Sequence, residues 1–468
     1  MRMRSVGETP STASDQADGG DPLPRRHVVF AVVAIALFMA SMDQTIVATA
    51  LNAIQTDLSA ELTWSGWTIT VYSLGQIIAM PMAGKLGDHF GRKRVFLVGI
   101  TVFTLASLAC GFANNIYLLV VLRALQALGG GAFLPSATGI VADHFGRHRD
   151  RAVGMFTSIF PIGTIVGPIL GGVLVTWLGW RAIFLVNVPI GVILFVLAAK
   201  LIAESPRREA GRIDFGGLGL LAVLMLSTMY GLTNLDLGLG SPWFVVPEVV
   251  AVLSAVVFVR HTMRHRAPFI PIRFLRGRSF AVMNVLNLLF GGAAIGFGAL
   301  VPLYAEQRFH LDPLAAGTLL TARGAGMICV AALAVLALRR AGHRLPMAVG
   351  LTLMVVGLVA MAMPPAGVSG YMWLAVSAGL TGLGMGLSVP ASNNAGLSLA
   401  PDQLSSLAGL RGMFRQSGAI IAVSVTTAVL ANSANPAMTQ AHAFVVLAAL
   451  LLASVPLIFT IPDHRGAW

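Results

Sequence analysis

The segment GKLGDHFGRKR, from Gly84 to Arg94, decides how this chain folds, because it lies between two long apolar runs at residues 64–83 and 95–113. Its glycines permit a tight turn and close helix approach, while Asp88 and Arg92 can pair at a membrane face. A short charged loop between two apolar runs of about twenty residues is typical of a pair of transmembrane helices. An ordinary positively charged loop without a further role is the alternative at this point.

The composition of the whole chain leads to the same conclusion. Of its 468 residues, 56% are hydrophobic and only 11% are charged, and its mean hydropathy is +0.81. Soluble proteins have about a quarter of their residues charged. This chain therefore has too little polar surface to cover a water-soluble core, and we expect its apolar residues to face lipid.

Apolar runs of about twenty residues follow one another along the entire chain. They occupy residues 28–51, 64–83, 95–113, 115–142, 152–177, 181–203, 214–235, 242–261, 279–305, 313–338, 346–364, 371–398, 404–431 and 441–462. Helices are expected, because the runs lack the alternation of barrel strands. The sequence thus predicts an all-α integral membrane protein with 14 transmembrane helices.

The placement of basic residues indicates the orientation. With a cytoplasmic N-terminus, Arg181 and Arg308 fall outside, and most other Lys and Arg residues fall in cytoplasmic loops, as the positive-inside rule requires. We therefore expect a multi-pass protein of the inner (plasma) membrane with both termini in the cytoplasm. Dispersed positive charge favours anionic lipid headgroups over nucleic acid as the partner. Residues 1–26 are polar and are predicted to be a disordered cytoplasmic tail.

The segment from Gly84 to Arg94 resembles the signature between helices two and three of the major facilitator superfamily. The resemblance implies a cytoplasmic gate formed by Gly84, Asp88, Gly91 and Arg92. In this gate Arg92 would bridge Asp88 to Asp143, an acid at the end of the fourth span.

The fifth span carries a second motif, composed of Gly163, Gly167, Pro168, Gly171 and Gly172. The first, second and fourth of these residues share one helix face at i, i+4 and i+8, where a neighbouring backbone can approach. Proline removes one internal hydrogen bond and favours a kink. Generic small-residue packing is one explanation of the pattern. The segment is also similar to the antiporter motif of the drug:proton antiporters, which favours export over uptake.

The span count, the entry GRIDFGG at residues 211–217, and the pair Trp67 and Tyr72 resemble the fourteen-helix drug:proton antiporter family. The resemblance implies a major facilitator fold of two six-helix bundles, residues 27–205 and 267–468. Residues 206–266 would form an inserted pair of helices between them. We expect a monomer.

One carboxylate lies deep inside a span of the predicted bundles. A charge at a helix centre costs about 2.5–3.5 kcal/mol on insertion scales, so Asp43 needs a partner. Arg123 lies at the same depth, about 12 Å from the outer surface at helical rise. In the resembling family the matching Asp and Arg are linked to proton coupling. A static structural pair is the alternative role, and Glu248 in the eighth span is the rival carboxylate.

The C-terminal half holds further charge inside its spans. The residues predicted to line a substrate cavity are Gln44, Gln126, Arg323, Asn393, Arg411 and Arg415. Arginines that face the cavity would favour neutral or anionic amphiphiles and disfavour dications. Structural pairing of the same arginines with backbone carbonyls is the alternative.

These features together predict a proton-coupled secondary active exporter of hydrophobic or amphiphilic small molecules, working by alternating access. The expected partners are the substrate, protons and membrane lipids, with no cofactor besides the proton gradient. A lipid or lipid-linked flippase and a non-transporting membrane sensor are the alternative functions. The sequence has no metal-ligand cluster and no phosphate-binding loop, so neither an enzyme nor a catalytic or metal site is predicted.

Overall fold

The computed structural model describes residues 23–463, except for residues 61, 147–148, 158, 205–213, 266–267, 269, 271–273, 275–276, 312, 400–402 and 432. Most of the predicted tail, residues 1–22, lies outside the described residues. The first helix begins at Leu23, so residues 23–26 are helical and do not belong to a tail. Pro24 is compatible with this start, because the first turn of a helix needs no backbone N–H from it.

The N-terminal half consists of nine described helical segments. They are α1 Leu23–Asp57, α2 Leu62–Phe90, α3 Arg92–Gly111, α4 Ile116–Gly131, α5 Phe133–Phe145, α6 Arg149–Thr157, α7 Ile159–Leu178, α8 Ala182–Leu185 and α9 Asn187–Leu201.

The rest of the chain comprises two connecting helices and the C-terminal half. Two helices come next, α10 Phe215–Thr233 and α11 Pro242–Arg264. The C-terminal half then consists of α12 Arg278–Gly291, a π-helical turn Gly292–Gly296, α13 Phe297–Phe309, α14 Pro313–Ala341, α15 Arg344–Ala362, α16 Gly370–Ser398, α17 Leu404–Ala431 and α18 Pro436–Ile458.

All the regular secondary structure in the described part of the chain is helical, and that part contains no strand. Ten of its helices, counting α4 with α5 and α8 with α9 as single rods, are long and apolar enough to cross a membrane. Two shorter apolar stretches, Val166–Leu178 and Ala315–Val330, lie within α7 and α14. A span of about twenty apolar residues matches the hydrocarbon layer of about 30 Å.

Two of the predicted spans are interrupted. The fourth breaks between α4 and α5 at Ala132, whose N–H donates to the Gly129 carbonyl at 3.1 Å in a tighter turn. This break follows Gly129–Gly131, where the helix approaches α3 so closely that a Cβ on Gly129 would meet the Phe103 backbone nitrogen. The ninth span contains the π-helical turn Gly292–Gly296. Such turns release backbone carbonyls from the regular helical ladder.

The two halves pack against each other along α2 and α17. A Cβ on Gly84 would collide with the Ser405 carbonyl oxygen, and one on Gly409 with the Met80 carbonyl oxygen. Backbone therefore lies directly on backbone at this seam. Gln76 and Gln416 cross the seam deeper in the bundle, where the Gln416 amide nitrogen donates to the Gln76 side-chain oxygen at 2.9 Å. We call the end of the bundle that carries residues 84–94 the gate face.

The helices α10 and α11 differ in how they pack. The α10 helix contacts both halves: its Tyr230 ring lies 5.8 Å from that of Trp67 on α2, and its Met225 sulfur accepts from the Ser417 hydroxyl on α17 at 3.9 Å. The α11 helix packs on α10 and is only 11% buried along its apolar window. The pair is thus peripheral through α11, while α10 covers the seam.

Asp214 and His261 join these two helices at the gate face. The Asp214 carboxylate caps α10 by accepting from the Gly217 N–H at 2.7 Å and lies 2.7 Å from His261 Nε2. With His265 these residues are the one group of described His, Cys, Asp and Glu side chains whose ligand atoms lie within 4.8 Å of one another. Capping and helix pairing account for the arrangement.

Candidate functional site

The Asp43 carboxylate lies at the centre of a closed polar cluster within the N-terminal half. Arg123 Nη1 donates to its Oδ2 at 2.5 Å. Its Oδ1 accepts from the side-chain nitrogens of Gln126 and Asn187, each at 2.9 Å. All four side chains have no solvent exposure. Both carboxylate oxygens are thus satisfied by donors from neighbouring helices, which offsets the cost of removing the charge from water.

Arg123 is held on its other sides by neutral groups. Its Nε donates to the Thr68 carbonyl at 3.1 Å, and Nη1 also donates to Gln126 Oε1 at 2.6 Å. The guanidinium carbon lies 4.1 Å from the centre of the Tyr72 ring and 5.6 Å from that of Phe184. Aromatic faces attract a desolvated cation. Arg123 therefore retains several contacts that do not depend on Asp43.

Sequence reasoning paired Asp43 with Arg123 but missed several members of this cluster. Asn187 and Thr68 were overlooked, as was Ser107, whose hydroxyl oxygen accepts from the Gln126 amide at 2.7 Å. Asn187 and Ser107 each stand in an otherwise apolar run. A polar side chain in such a run needs an internal partner in lipid, and this signal was available in the sequence.

The glycines of the fifth span form a ladder against α1. A Cβ on Gly163 would collide with the Ser41 hydroxyl, one on Gly167 with the Thr45 hydroxyl, and one on Gly171 with the Thr49 hydroxyl. These hydroxyls donate to their own helix, to the carbonyls of Phe38, Met42 and Ile46. The glycines on α7 and the hydroxyl residues on α1 both recur every four residues, so the α1 backbone can lie on α7 for three turns.

The remaining members of that motif have different positions. Gly172 faces open space, because a methyl group added there would have no heavy atom within 4 Å, and it takes no part in the ladder. Pro168 is inside the helix α7. Because Asp43 lies on α1 between the ladder residues Ser41 and Thr45, the α7 glycines fix the helix that carries the buried carboxylate.

The residues predicted to form a gate lie together at the gate face. Arg92 Nη1 donates to Asp143 Oδ1 at 2.5 Å, and Arg92 Nη2 lies 3.6 Å from Asp88 Oδ1. Arg92 also donates to the Gly139 carbonyl at 3.0 Å. A Cβ on Gly139 would collide with the Arg92 side chain. Gly139 lies four residues before Asp143 and so shares its helix face, a signal that sequence reasoning did not use.

Asp88 also connects the two halves, which the sequence did not predict. Its Oδ2 accepts from the Ser406 N–H at 3.1 Å and from the Ser406 hydroxyl at 2.6 Å. Ser406 is in the first turn of α17, where unsatisfied N–H groups and the helix dipole attract an anion. Gly91, with φ 98°, forms the turn that places Asp88 and Arg92 on consecutive helices.

The residues predicted to line a substrate cavity separate into three places. Gln126 belongs to the Asp43 cluster, and Gln44 lies beside Asp43 on α1 with its side-chain oxygen buried. Arg323 Nη1 donates to the Ala294 carbonyl at 2.6 Å, which lies in the π-helical turn. The other three, Asn393, Arg411 and Arg415, line a shared cavity.

The end of the bundle opposite the gate face, which we call the far face, has its own charged contact in the N-terminal half. Arg181 Nη1 and Trp180 Nε1 donate to Asp57 Oδ2 at 2.6 and 3.0 Å. Hydrogen bonds from Arg181, and then from Trp180, lower the pKa of the Asp57 carboxyl. The contact joins the end of α1 to the start of α8.

A comparison with family models identifies the family of this chain. Residues 33–423 match the model of the Major Facilitator Superfamily, which is most of the chain. The chain belongs to the major facilitator superfamily.

Curated relatives of this major facilitator chain extend over most of its length. A multidrug resistance protein B homolog of Mycobacterium tuberculosis is 30% identical over 86% of this chain and 76% of the relative. The tetracenomycin C resistance and export protein of Streptomyces glaucescens is 31% identical over 92% of this chain and 79% of the relative. The chain is thus a multi-pass membrane transporter whose relatives include proteins named for multidrug resistance and export.

A solved structure supports the fold. The human organic anion transporter MFSD10 superposes with a TM-score of 0.69, covering 94% of this chain and 100% of that one, at 16% identity. At this identity the likeness concerns the major facilitator fold alone.

A small cavity lies on the seam between the halves of this transporter. Its volume is about 20 Å³, and its lining includes Thr138 and Val153 from the N-terminal half and Asn287, Arg411 and Arg415 from the C-terminal half. This volume holds about one water molecule. The two halves therefore lie close together at this point of the seam.

Proposed function

We propose that this chain is a proton-coupled exporter of hydrophobic or amphiphilic small molecules, working by alternating access. The observation that carries the proposal is the closed Asp43–Arg123 pair, with a nitrogen–oxygen distance of 2.5 Å, inside one half of a transporter fold. A carboxylate that exchanges an arginine for a proton can link protonation to a change of shape, because the charge balance of the half then changes.

The topology of the proposal follows the sequence expectation. The chain would have fourteen spans, with α10 and α11 as the inserted pair of the fourteen-helix drug:proton antiporters. It would lie in the inner membrane as a monomer with both termini in the cytoplasm. The gate face would then be cytoplasmic, and the described state, closed at that face by Asp88 and Ser406, would be the outward-facing one.

Names of relatives support export rather than uptake. Proteins named for multidrug resistance and for tetracenomycin C export align with this chain at 30% and 31% identity. The ladder of α7 glycines against α1 supports the same direction, since these glycines resemble the antiporter motif. The proton gradient would be the only energy source, with no cofactor.

The test uses purified protein in liposomes with the pH indicator pyranine enclosed. Addition of transported compounds from a library of hydrophobic solutes is expected to move protons in the opposite direction to the solute. Asp43→Asn protein, reconstituted at equal density, is the control and should move none. Solute flux without proton movement in the wild-type protein would contradict the coupling.

A lipid or lipid-linked flippase is the second candidate function, and one observation favours it. An apolar cleft of about 390 Å³ lies between α12, α17 and α18, with Leu289, Ile421, Val425, Val446 and Leu450 in its wall. Val425, Val446 and Leu450 are exposed on the protein surface, where lipid would lie. A fluorescent-lipid translocation assay in the same liposomes separates the two functions. A sensor would give neither flux.

A further inference from the structure

The described lining of the small cavity between the halves includes two arginines and no acid. Arg411 and Arg415 come from adjacent turns of α17, and Asn287, Asn393 and Thr138 complete the polar wall. Four acids follow residue 278, and each lies at or near an end of an apolar run: Glu306, Asp312, Asp402 and Asp463. The membrane interior of the C-terminal half therefore carries arginines without an acid of its own.

Arg411 is the best-defined member of this lining. Its side chain is buried, with 5% exposure, and it donates to the Asn393 carbonyl at 2.6 Å, to Asn393 Oδ1 at 3.0 Å and to Ser392 Oγ at 3.2 Å. All three acceptors are neutral. Among the described residues Arg411 has no ion pair. A guanidinium keeps its charge at any physiological pH, so this charge is not neutralised locally.

Arg411 Nε and Asn393 Nδ2 are buried donors of the site that lack an acceptor in the part of the chain that the structure describes. Unmet buried donors are unfavourable, and native proteins keep few of them. A ligand with negatively charged oxygens would satisfy both donors and neutralise the charge, whereas a cation would do neither.

The position of the cavity shows when a ligand can enter. Arg411 and Arg415 lie about 10 and 16 Å along α17 from its start at Leu404. The contact between Asp88 and Ser406 lies at that start, between the cavity and the gate face. At about 20 Å³ the cavity is too small for an amphiphile. Separation of the halves at the gate would open it from that side.

We propose that Arg411, Arg415 and Asn393 form a loading site for the anionic group of an amphiphilic substrate, a carboxylate in the simplest case. The proposal rests on the proposed export function and assigns its substrate class. The wall next to the arginines includes Leu134 and Val153, which would receive the start of the apolar body. The site binds the anion when the gate is open and is collapsed in the described state.

The test is a binding measurement on purified protein in phosphatidylcholine nanodiscs without any gradient. Three probes share one apolar body and differ in the head: pyrenebutanoate, pyrenebutanamide and a pyrenebutyl trimethylammonium. Equilibrium dialysis against empty nanodiscs corrects for partition into lipid. We expect the wild-type protein to bind the carboxylate at least about tenfold more tightly than the amide, and the ammonium more weakly still. Equal binding of the three probes would overturn the proposal.

Two variants test whether the preference for the carboxylate probe arises at Arg411 and Asn393. Arg411→Gln should reduce the preference for carboxylate over amide to within about twofold, because the uncompensated charge is gone. Asn393→Asp keeps the arginine but supplies an internal carboxylate at the position where Oδ1 accepts from Arg411 at 3.0 Å. We expect it to compete with the ligand and to abolish the preference in a protein that folds. An unchanged preference in Asn393→Asp would place the anion elsewhere.

Arg308→Gln is the matched control, since Arg308 lies on α13 at the far face and donates to the Met438 sulfur. It should retain the full preference, and loss there would mean a long-range charge effect instead of a site. Failure of the proposed function appears separately, as absence of proton-coupled flux in liposomes. Binding in nanodiscs is independent of that result.

Discussion

The two halves of this transporter differ in how their buried charges are compensated. In the N-terminal half Asp43 and Arg123 neutralise each other at 2.5 Å inside a fully closed cluster. In the C-terminal half Arg323 donates to the Ala294 carbonyl, and Arg411 donates to Asn393 and Ser392. One half has a balanced pair, and the other has arginines on neutral acceptors.

This difference in buried charge predicts different roles for the two halves. A closed pair can respond to one proton without contact with the substrate, because its whole environment belongs to a single half. Arginines at the seam meet whatever enters between the halves. Coupling would then depend on how protonation of the N-terminal half changes the seam, and the Asp88–Ser406 contact is the polar link at the gate face.

The largest effect is expected from Asp43→Asn. Uphill export should fall to the level of empty vesicles, because the only proton-binding group of the buried pair is lost. The variant also leaves the Arg123 charge buried without its partner, so the free energy of unfolding should fall by about 3–5 kcal/mol. Detergent-induced unfolding measures the stability, and vesicle uptake measures the export.

A double variant separates the two effects. Asp43→Asn combined with Arg123→Gln removes both charges and should regain most of the stability without regaining export. Wild-type export by the double variant would show that the pair is structural.

The second-largest effect, on the free energy of unfolding, is expected from the ladder of α7 glycines against α1. Gly167→Ala places a methyl group against Thr45 and the Met42 carbonyl, and such overpacking costs about 1–3 kcal/mol of unfolding free energy. Gly172→Ala, on the same helix with open space around it, is the control and should be neutral or slightly stabilising. Equal thermal unfolding midpoints for the two variants would remove the close approach of the helices as an explanation.

A third, smaller effect, on the population of the two conformations, is expected from the contact between Asp88 and Ser406. Asp88→Asn weakens a charged contact to a helix N-terminus, worth about 0.3–2 kcal/mol, and should shift the population toward the state open at the gate face. Accessibility of single cysteines introduced at the two faces reports the shift. Ser406→Ala removes the hydroxyl but keeps the N–H donor, so its shift should be smaller. A larger shift in Ser406→Ala would contradict the assigned roles.

Arg411→Gln tests the contrast between the halves directly. Because only neutral acceptors and no opposite charge remain behind, the free energy of unfolding should fall by about 1–3 kcal/mol, less than for Asp43→Asn. Detergent-induced unfolding of both variants, side by side, gives the comparison. A loss as large as that of Asp43→Asn would show that Arg411 has an ionic partner of equal weight.

The smallest effect concerns acid stability at the far face. The pKa of Asp57 is lowered in the folded protein by Arg181 and Trp180. The stabilisation is therefore present above the unfolded pKa of about 3.9 and is lost as the pH falls through the folded value. Arg181→Gln should shift the unfolding midpoint slightly at about pH 6 and not at about pH 2. A shift of the same size at both values would exclude the charge pair as its cause.

The sequence allowed the buried Asp43–Arg123 pair to be predicted for a simple reason. Charges are costly in lipid, so Asp43 and Arg123, at matching depth in apolar runs, had to be explained by each other. The gate was predicted differently, because the resemblance of residues 84–94 to the major facilitator signature implied that Arg92 bridges Asp88 to Asp143. The predicted end of the tail at residue 26 was misplaced, because the first helix begins at Leu23, a few residues before the apolar run that starts at residue 28.

Composition and hydropathy by themselves determined a helical membrane protein, because lipid accepts only backbone that is satisfied within its own segment. Only the tertiary structure decided that Gln126 belongs to the Asp43 cluster, that Ser406 binds Asp88 and that Asn393 accepts from Arg411. These contacts join residues that are distant along the chain. The rotation and tilt of packed helices set such distances, and apolar periodicity in a chain surrounded by lipid does not encode them.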